Sequence, residues 1–64
     1  MNHIRQLRKD KGITQCQLSA AVGVTQATLS YWESGKVSPR LSDLHKLAKV
    51  LGCSISDLFE EEAS

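Results

Sequence analysis

Apolar residues recur at intervals of three and four along most of this chain, and no stretch offers a strand. The clearest run is Leu41, Leu44, Leu47, Ala48 and Leu51, which places four leucines and an alanine on one face of a helix. Ser38-Pro39 before it is a start signal, an N-cap residue followed by proline at the first helical position, and Gly52 stops it. At the other end of the chain, Ile4 and Leu7 mark the buried edge of a helix predicted over about Asn2 to Lys11. Gly12 ends that helix and Ile13 returns the chain to the core. Ser54-x-x-Asp57 is a capping signal for a short last helix bearing Ile55, Leu58 and Phe59, and the acidic tail EEEAS, residues 60–64, is expected to fray.

Between these lies TQCQLSAAVGVTQATLSYWESG, from Thr14 to Gly35. Thr14 and Gln17 form an S/T-x-x-E/Q capping box, and Leu18 and Val22 give the following helix an apolar edge. Gly23 ends it, since glycine turns left-handed there at little steric cost. Thr25 caps a second helix running through Gln26, Leu29, Trp32 and Glu33 to Gly35. Two helices joined so closely cross steeply, as in a helix-turn-helix. At about 100° per residue, Thr25, Leu29, Trp32 and Glu33 fall inward, while Ala27, Thr28, Ser30, Tyr31 and Ser34 fall outward. That outer face is small and neutral and carries no acid, so it can approach a polyanion closely. Periodicity alone also permits a plain surface helix in a bundle.

Sixty-four residues make one domain near the lower limit for folding without staples, with helix-turn-helix residues about 14–34 at its centre. An apolar fraction of 41% suffices for one core and argues against a deep catalytic cleft. The net charge of +1 hides an asymmetry: Arg5, Arg8, Lys9 and Lys11 outweigh Asp10 at the start, while Asp43, Asp57, Glu60, Glu61 and Glu62 outweigh Lys46 and Lys49 after residue 40. One side suits phosphates and the other points away. Cys16 and Cys53 stand apart, with a disulfide open in principle and free thiols in a reducing compartment the expectation. With His3 and His45 they form no metal spacing or nucleophile–base pattern, so no catalytic residues, metal or cofactor are expected. No signal peptide or bilayer-spanning run is present, and the chain reads as cytoplasmic.

Three segments, IRQLRKDKGITQ, QLSAAVGVTQATLSYWESGKVSP and LHKLAKVLGCSISDLF, give the chain a resemblance to the Cro and phage-repressor type helix-turn-helix domain, the XRE family, over about Ile4 to Phe59. The order and spacing of T-Q, V-G-V-T, W-E-S-G-K and L-A-K-x-L-G make the signal specific. The resemblance implies an all-α, compact five-helix, lambda-repressor-like DNA-binding domain of a transcriptional regulator, a repressor by expectation, with the helix from Gln26 in the major groove. It implies base contacts from Gln26, Ala27, Thr28 and Tyr31, and phosphate contacts from Gln15, Thr25, Lys36, Arg40 and Arg8. It further implies that Arg8 pairs with Glu33, the guanidinium holding the carboxylate while offering another donor to phosphate. Ser19 stands where the family often has alanine, Cys16 where it is usually polar, and the groove face lacks an arginine, so guanine readout from this helix is not expected.

One such domain covers little DNA, so the expected partner is a near-palindromic double-stranded operator bound by a homodimer. Ile55, Leu58 and Phe59 are the expected dimer interface, with the alternative that Phe59 closes the monomer core. No membrane or small-molecule ligand is expected. A second reading is an antitoxin-like or scaffold module that uses the same fold for protein contacts.

Overall fold

Local hydrogen bonds at the helix starts divide the chain. The computed structural model describes residues 3–58, which form α1 (Ile4–Asp10), α2 (Gln15–Val22), α3 (Gln26–Ser34) and α4 (Leu41–Leu51), then one turn of 3-10 helix at Ile55–Leu58. The expected fifth helix is therefore that single 3-10 turn. Its four residues are too few for an α-helical ladder, and Asp57 N–H closes back on Ser54 O three residues earlier, at 3.1 Å. The expected cap is still made: Ser54 N–H donates to Asp57 Oδ2 and Asp57 N–H to Ser54 Oγ.

Two other boundaries differ from expectation. α1 ends at Asp10, one residue short, and Asn2 lies outside the described residues. α4 starts at Leu41, with Arg40 rather than Ser38 in the N-cap position and Pro39 outside the helix. Asp43 supplies the reason. Its carboxylate accepts Arg40 N–H at 3.4 Å, whereas a start at Ser38 puts Leu41 in the position that should return the bond.

α2 packs on α3 and α4, α1 packs on α3 and α4, and the 3-10 turn closes against α4. Ile4, Leu18, Leu29, Leu47 and Leu58 are fully buried, surrounded by Val22, Trp32, Leu44, Ala48 and Leu51. Leu7, Ile13, Val24 and Ile55 pack against this core half-covered, as do Val50 and Cys53, which the periodicity did not single out. Burial pushes the Cys53 thiol above its ordinary range, Asp57 adds to the rise, and Lys11 opposes it. Both cysteines are free.

Of the expected interface residues, Leu58 is taken up by the core. Its side chain is 0% exposed, and its carbonyl accepts His3 N–H at 2.8 Å, which ties the 3-10 turn to the start of α1. A side chain consumed by its own core has no surface to offer a second copy. Ile55 is half-buried, and Phe59 lies outside the described residues, as does the acidic segment 60–64. No helix among the described residues is long and apolar enough to cross a membrane.

Gly23 joins α2 to α3 with φ +87°, and its N–H donates to Ser19 O at 2.9 Å. Nothing lies within 4 Å of the place a Cβ would occupy, so only the backbone resists a side chain there. Gly23→Ala is expected to destabilise the fold by roughly 1–2 kcal/mol, read as a lower urea midpoint at unchanged slope. A second expectation concerns acid. The N–H and hydroxyl of Ser54 hold the Asp57 carboxyl below its ordinary range. A depressed native value stabilises the turn above the ordinary carboxylate range, and that contribution is lost as pH falls through the depressed value. The Ser54 amide resonance should titrate with a midpoint below that of free aspartate, and Asp57→Asn should abolish the transition.

Candidate functional site

The capping box predicted for α2 is complete: Thr14 N–H donates to Gln17 Oε1 at 2.8 Å, and Gln17 N–H donates to Thr14 Oγ1 at 3.0 Å. Thr25 caps α3 in the same way, accepting Thr28 N–H at 3.1 Å and donating its own hydrogen to Thr28 Oγ1 at 2.9 Å. Thr25 is exposed and does not face inward as the wheel placed it, because an N-cap residue sits outside the helical register. Leu29 and Trp32 anchor α3 in the core. Ala27, Ser30, Tyr31 and Ser34 are exposed along the opposite side, and Thr28 is half-buried at its edge.

Glu33 sits where α1, α2 and α3 meet. Arg8 Nε donates to Glu33 Oε2 at 2.7 Å and Nη2 to Oε1 at 3.3 Å, a two-pronged pair whose side chains are only 12% and 5% exposed. Arg8 Nη1 also donates to Ile13 O at 3.0 Å, so the guanidinium holds the loop after α1 as well. Gln15 Nε2 donates to Glu33 Oε1 at 3.2 Å, and Gln26 Nε2 donates to Gln15 Oε1 at 3.3 Å. Four side chains from three helices thus form one chain of bonds, ending on exposed Gln26 in the first turn of α3. In sequence, Gln15 and Gln26 stand eleven residues apart as separate contacts. The available signal was their matching place, each the first residue after a capping threonine.

Ser19, the departure from alanine in α2, is 5% exposed and donates its hydroxyl to Cys16 O at 3.0 Å, which satisfies it within its own helix. Cys16 itself is exposed. Past α3, Lys36 Nζ lies 5.8 Å from the centre of the Tyr31 ring, a cation–π contact on the surface. Arg40 is exposed at the start of α4, while among the described residues Tyr31, Val37 and Leu41 are the large hydrophobic side chains left exposed. One face therefore brings together Gln15, Gln26, Ala27, Ser30 and Tyr31. Among the described residues, no cluster of histidine, cysteine or carboxylate side chains is arranged to hold a metal ion.

Comparison with known proteins gives a consistent result. The Helix-turn-helix family model matches residues 4–58. An uncharacterized HTH-type transcriptional regulator of Methanothermobacter thermautotrophicus is 44% identical over 57 residues, covering 88% of this chain and 83% of its own. The HTH-type transcriptional regulator PuuR of Escherichia coli is 38% identical over 58 residues, covering 91% of this chain. The chain spans about a third of the length of PuuR (31%). Among solved structures, the P22 c2 repressor protein in complex with a synthetic operator superimposes with a TM-score of 0.84 at 36% identity, covering 92% of this chain and 89% of that one.

The burial of the Arg8–Glu33 pair sets an expectation for stability. Removing one partner leaves the other charge uncompensated, so Glu33→Ala should cost roughly 3 kcal/mol in chemical denaturation. The double substitution Arg8→Met with Glu33→Leu should recover most of that loss, because two apolar side chains strand no charge.

Proposed function

The chain belongs to the helix-turn-helix family, and from that membership we propose that it is a sequence-specific DNA-binding transcriptional regulator, acting as a repressor, that sets α3 in the major groove. The observation that carries this reading is the position of Gln26. It is exposed in the first turn of α3, on an acid-free face, and its side chain is steadied by Gln15. The bond to Gln15 uses one hydrogen of the Gln26 amide. The second N–H and the carbonyl oxygen are left to pair with N7 and N6 of an adenine. Ala27 and the methyl group of Thr28 suit a thymine methyl, and Tyr31 lies along the same approach.

Phosphate contacts hold this helix in register without reading sequence. Gln15 keeps one amide hydrogen after serving Glu33, and Lys36 and Arg40 extend from the loop and helix start beyond α3. Arg8 lies beneath Gln15, with Glu33 neutralising its charge locally. A phosphate contact from Thr25 requires its hydroxyl hydrogen to turn away from Thr28. The P22 c2 repressor, similar over nearly its whole chain and solved with an operator, supports this mode of docking. Two copies on a near-palindromic operator, their half-sites about one helical turn apart, give the area that one small domain lacks. The reading assigns the chain no enzymatic role.

Selection from random duplexes, followed by titration of the best sequence, tests the proposal. Gln26→Ala should cost roughly 1–3 kcal/mol at one base pair and relax preference there. Lys36→Ala should weaken every duplex alike and make the salt dependence shallower by about one in log–log slope. Failure of the parent protein to prefer any duplex, or preference unaltered by both substitutions, rejects the proposed face.

A further inference from the structure

The end of α3 is built around Tyr31. Gly35 turns left-handed at φ +82°, and two crossed bonds close the helix: Gly35 N–H donates to Trp32 O at 3.2 Å, and Lys36 N–H donates to Tyr31 O at 3.0 Å. In a Schellman cap of this kind, the residue after the left-handed glycine commonly lays its side chain on the residue whose carbonyl it bonds. Here those two residues are Lys36 and Tyr31. Val37 N–H and the Ser34 hydroxyl also donate to Tyr31 O, at 3.3 Å and 3.1 Å. The backbone of Lys36 is therefore fixed relative to the same residue whose ring its ammonium overlies, 5.8 Å from the centroid.

The charge of Arg8 is neutralised by Glu33, whereas among the described residues Lys36 pairs with no carboxylate. The face of the exposed Tyr31 ring attracts the ammonium without cancelling its charge. One side of the ammonium rests toward the ring, and hydrogens on the other side stay free to donate. We propose that Tyr31 is a positioning residue for Lys36: its ring holds the ammonium beside the outer face of α3 in the free protein, ready for a DNA phosphate. The inference rests on the DNA-binding reading, and it gives Tyr31 a role exerted through another side chain and not on a base. A lysine loses rotamer freedom when a phosphate fixes it, and one already resting on a ring loses less. The ring thus changes the cost of ordering Lys36, not the number of charges that meet phosphates. Loss of the ring should lower affinity at an unchanged salt slope, whereas loss of the lysine charge makes that slope shallower.

The experiment measures binding as a function of salt for the selected duplex and for a duplex of mixed sequence. Tyr31→Leu keeps apolar bulk but removes the aromatic face; it should lower affinity about two- to fivefold on both duplexes, at the parent's log–log slope. Tyr31→Phe, which restores the face without the hydroxyl, should recover most of that loss. In a Lys36→Gln background, Tyr31→Leu should cost nothing further, because the side chain it positions is gone. In the free protein, the Lys36 ε-methylene protons should resonate upfield of an ordinary lysine through the ring current, and return in Tyr31→Leu. Parent-like affinity for Tyr31→Leu, or no upfield shift in the parent, overturns the positioning role while the parent's own DNA binding stands. A Tyr31→Leu loss that persists in the Lys36→Gln background, or is confined to one base pair, also overturns it, by marking direct contact between Tyr31 and DNA. Tyr31→Phe as weak as Tyr31→Leu does the same, by placing the effect in the hydroxyl. A parent that binds neither duplex rejects the underlying reading, and the positioning role with it.

Discussion

A single carboxylate ties three helices together. Glu33 belongs to α3, takes two bonds from Arg8 of α1 and one from Gln15 of α2, and is almost wholly withdrawn from water. Apolar side chains would fill the same space, but they would set the angle between the helices only loosely. A planar fork gripping a carboxylate admits a narrow range of orientations. Through it the pitch of α3 relative to the rest of the molecule is defined. The outward face of α3 is only as well aimed as this buried contact is firm.

The helices themselves are too short to hold their shape alone. α2 has eight residues and α3 nine, below the length at which isolated helices persist in water. Their order comes from caps at the start, left-handed glycines at the end, and the burial of Leu18, Val22, Leu29 and Trp32. Burying each of these large side chains contributes about 1.5–3 kcal/mol. The residues that present α3 outward are therefore inseparable from those that stabilise the domain.

Much of this was legible before any coordinates. The capping threonines, the glycine turns and the leucine spacing of α4 announce their elements directly, because each acts through neighbours in sequence. Burial of Leu18, Leu29, Trp32 and Leu47 follows from the same periodicity. The less readable features depend on competition or on distance. Ser38-Pro39 signalled the start of α4, but Arg40 takes the cap position because Asp43 lies where it can return the bond. Leu58 fits the apolar pattern of a core or of an interface, and its complete burial in the folded chain places it in the core. The Arg8–Glu33 pair came from family resemblance, since no local rule links residues twenty-five positions apart. The link from Gln15 to Gln26 needed the folded arrangement, because the two residues come from different helices.

The glutamine bridge has a consequence for how this molecule can diversify. Gln15 spends its carbonyl on Gln26 and an amide hydrogen on Glu33, so the side chain at position 26 has a structural dependant. Replacing Gln26 by an apolar residue leaves that carbonyl facing solvent; replacing it by an acid sets two acceptors against each other. An exchange at position 26 therefore also changes which donors and acceptors Gln15 has free.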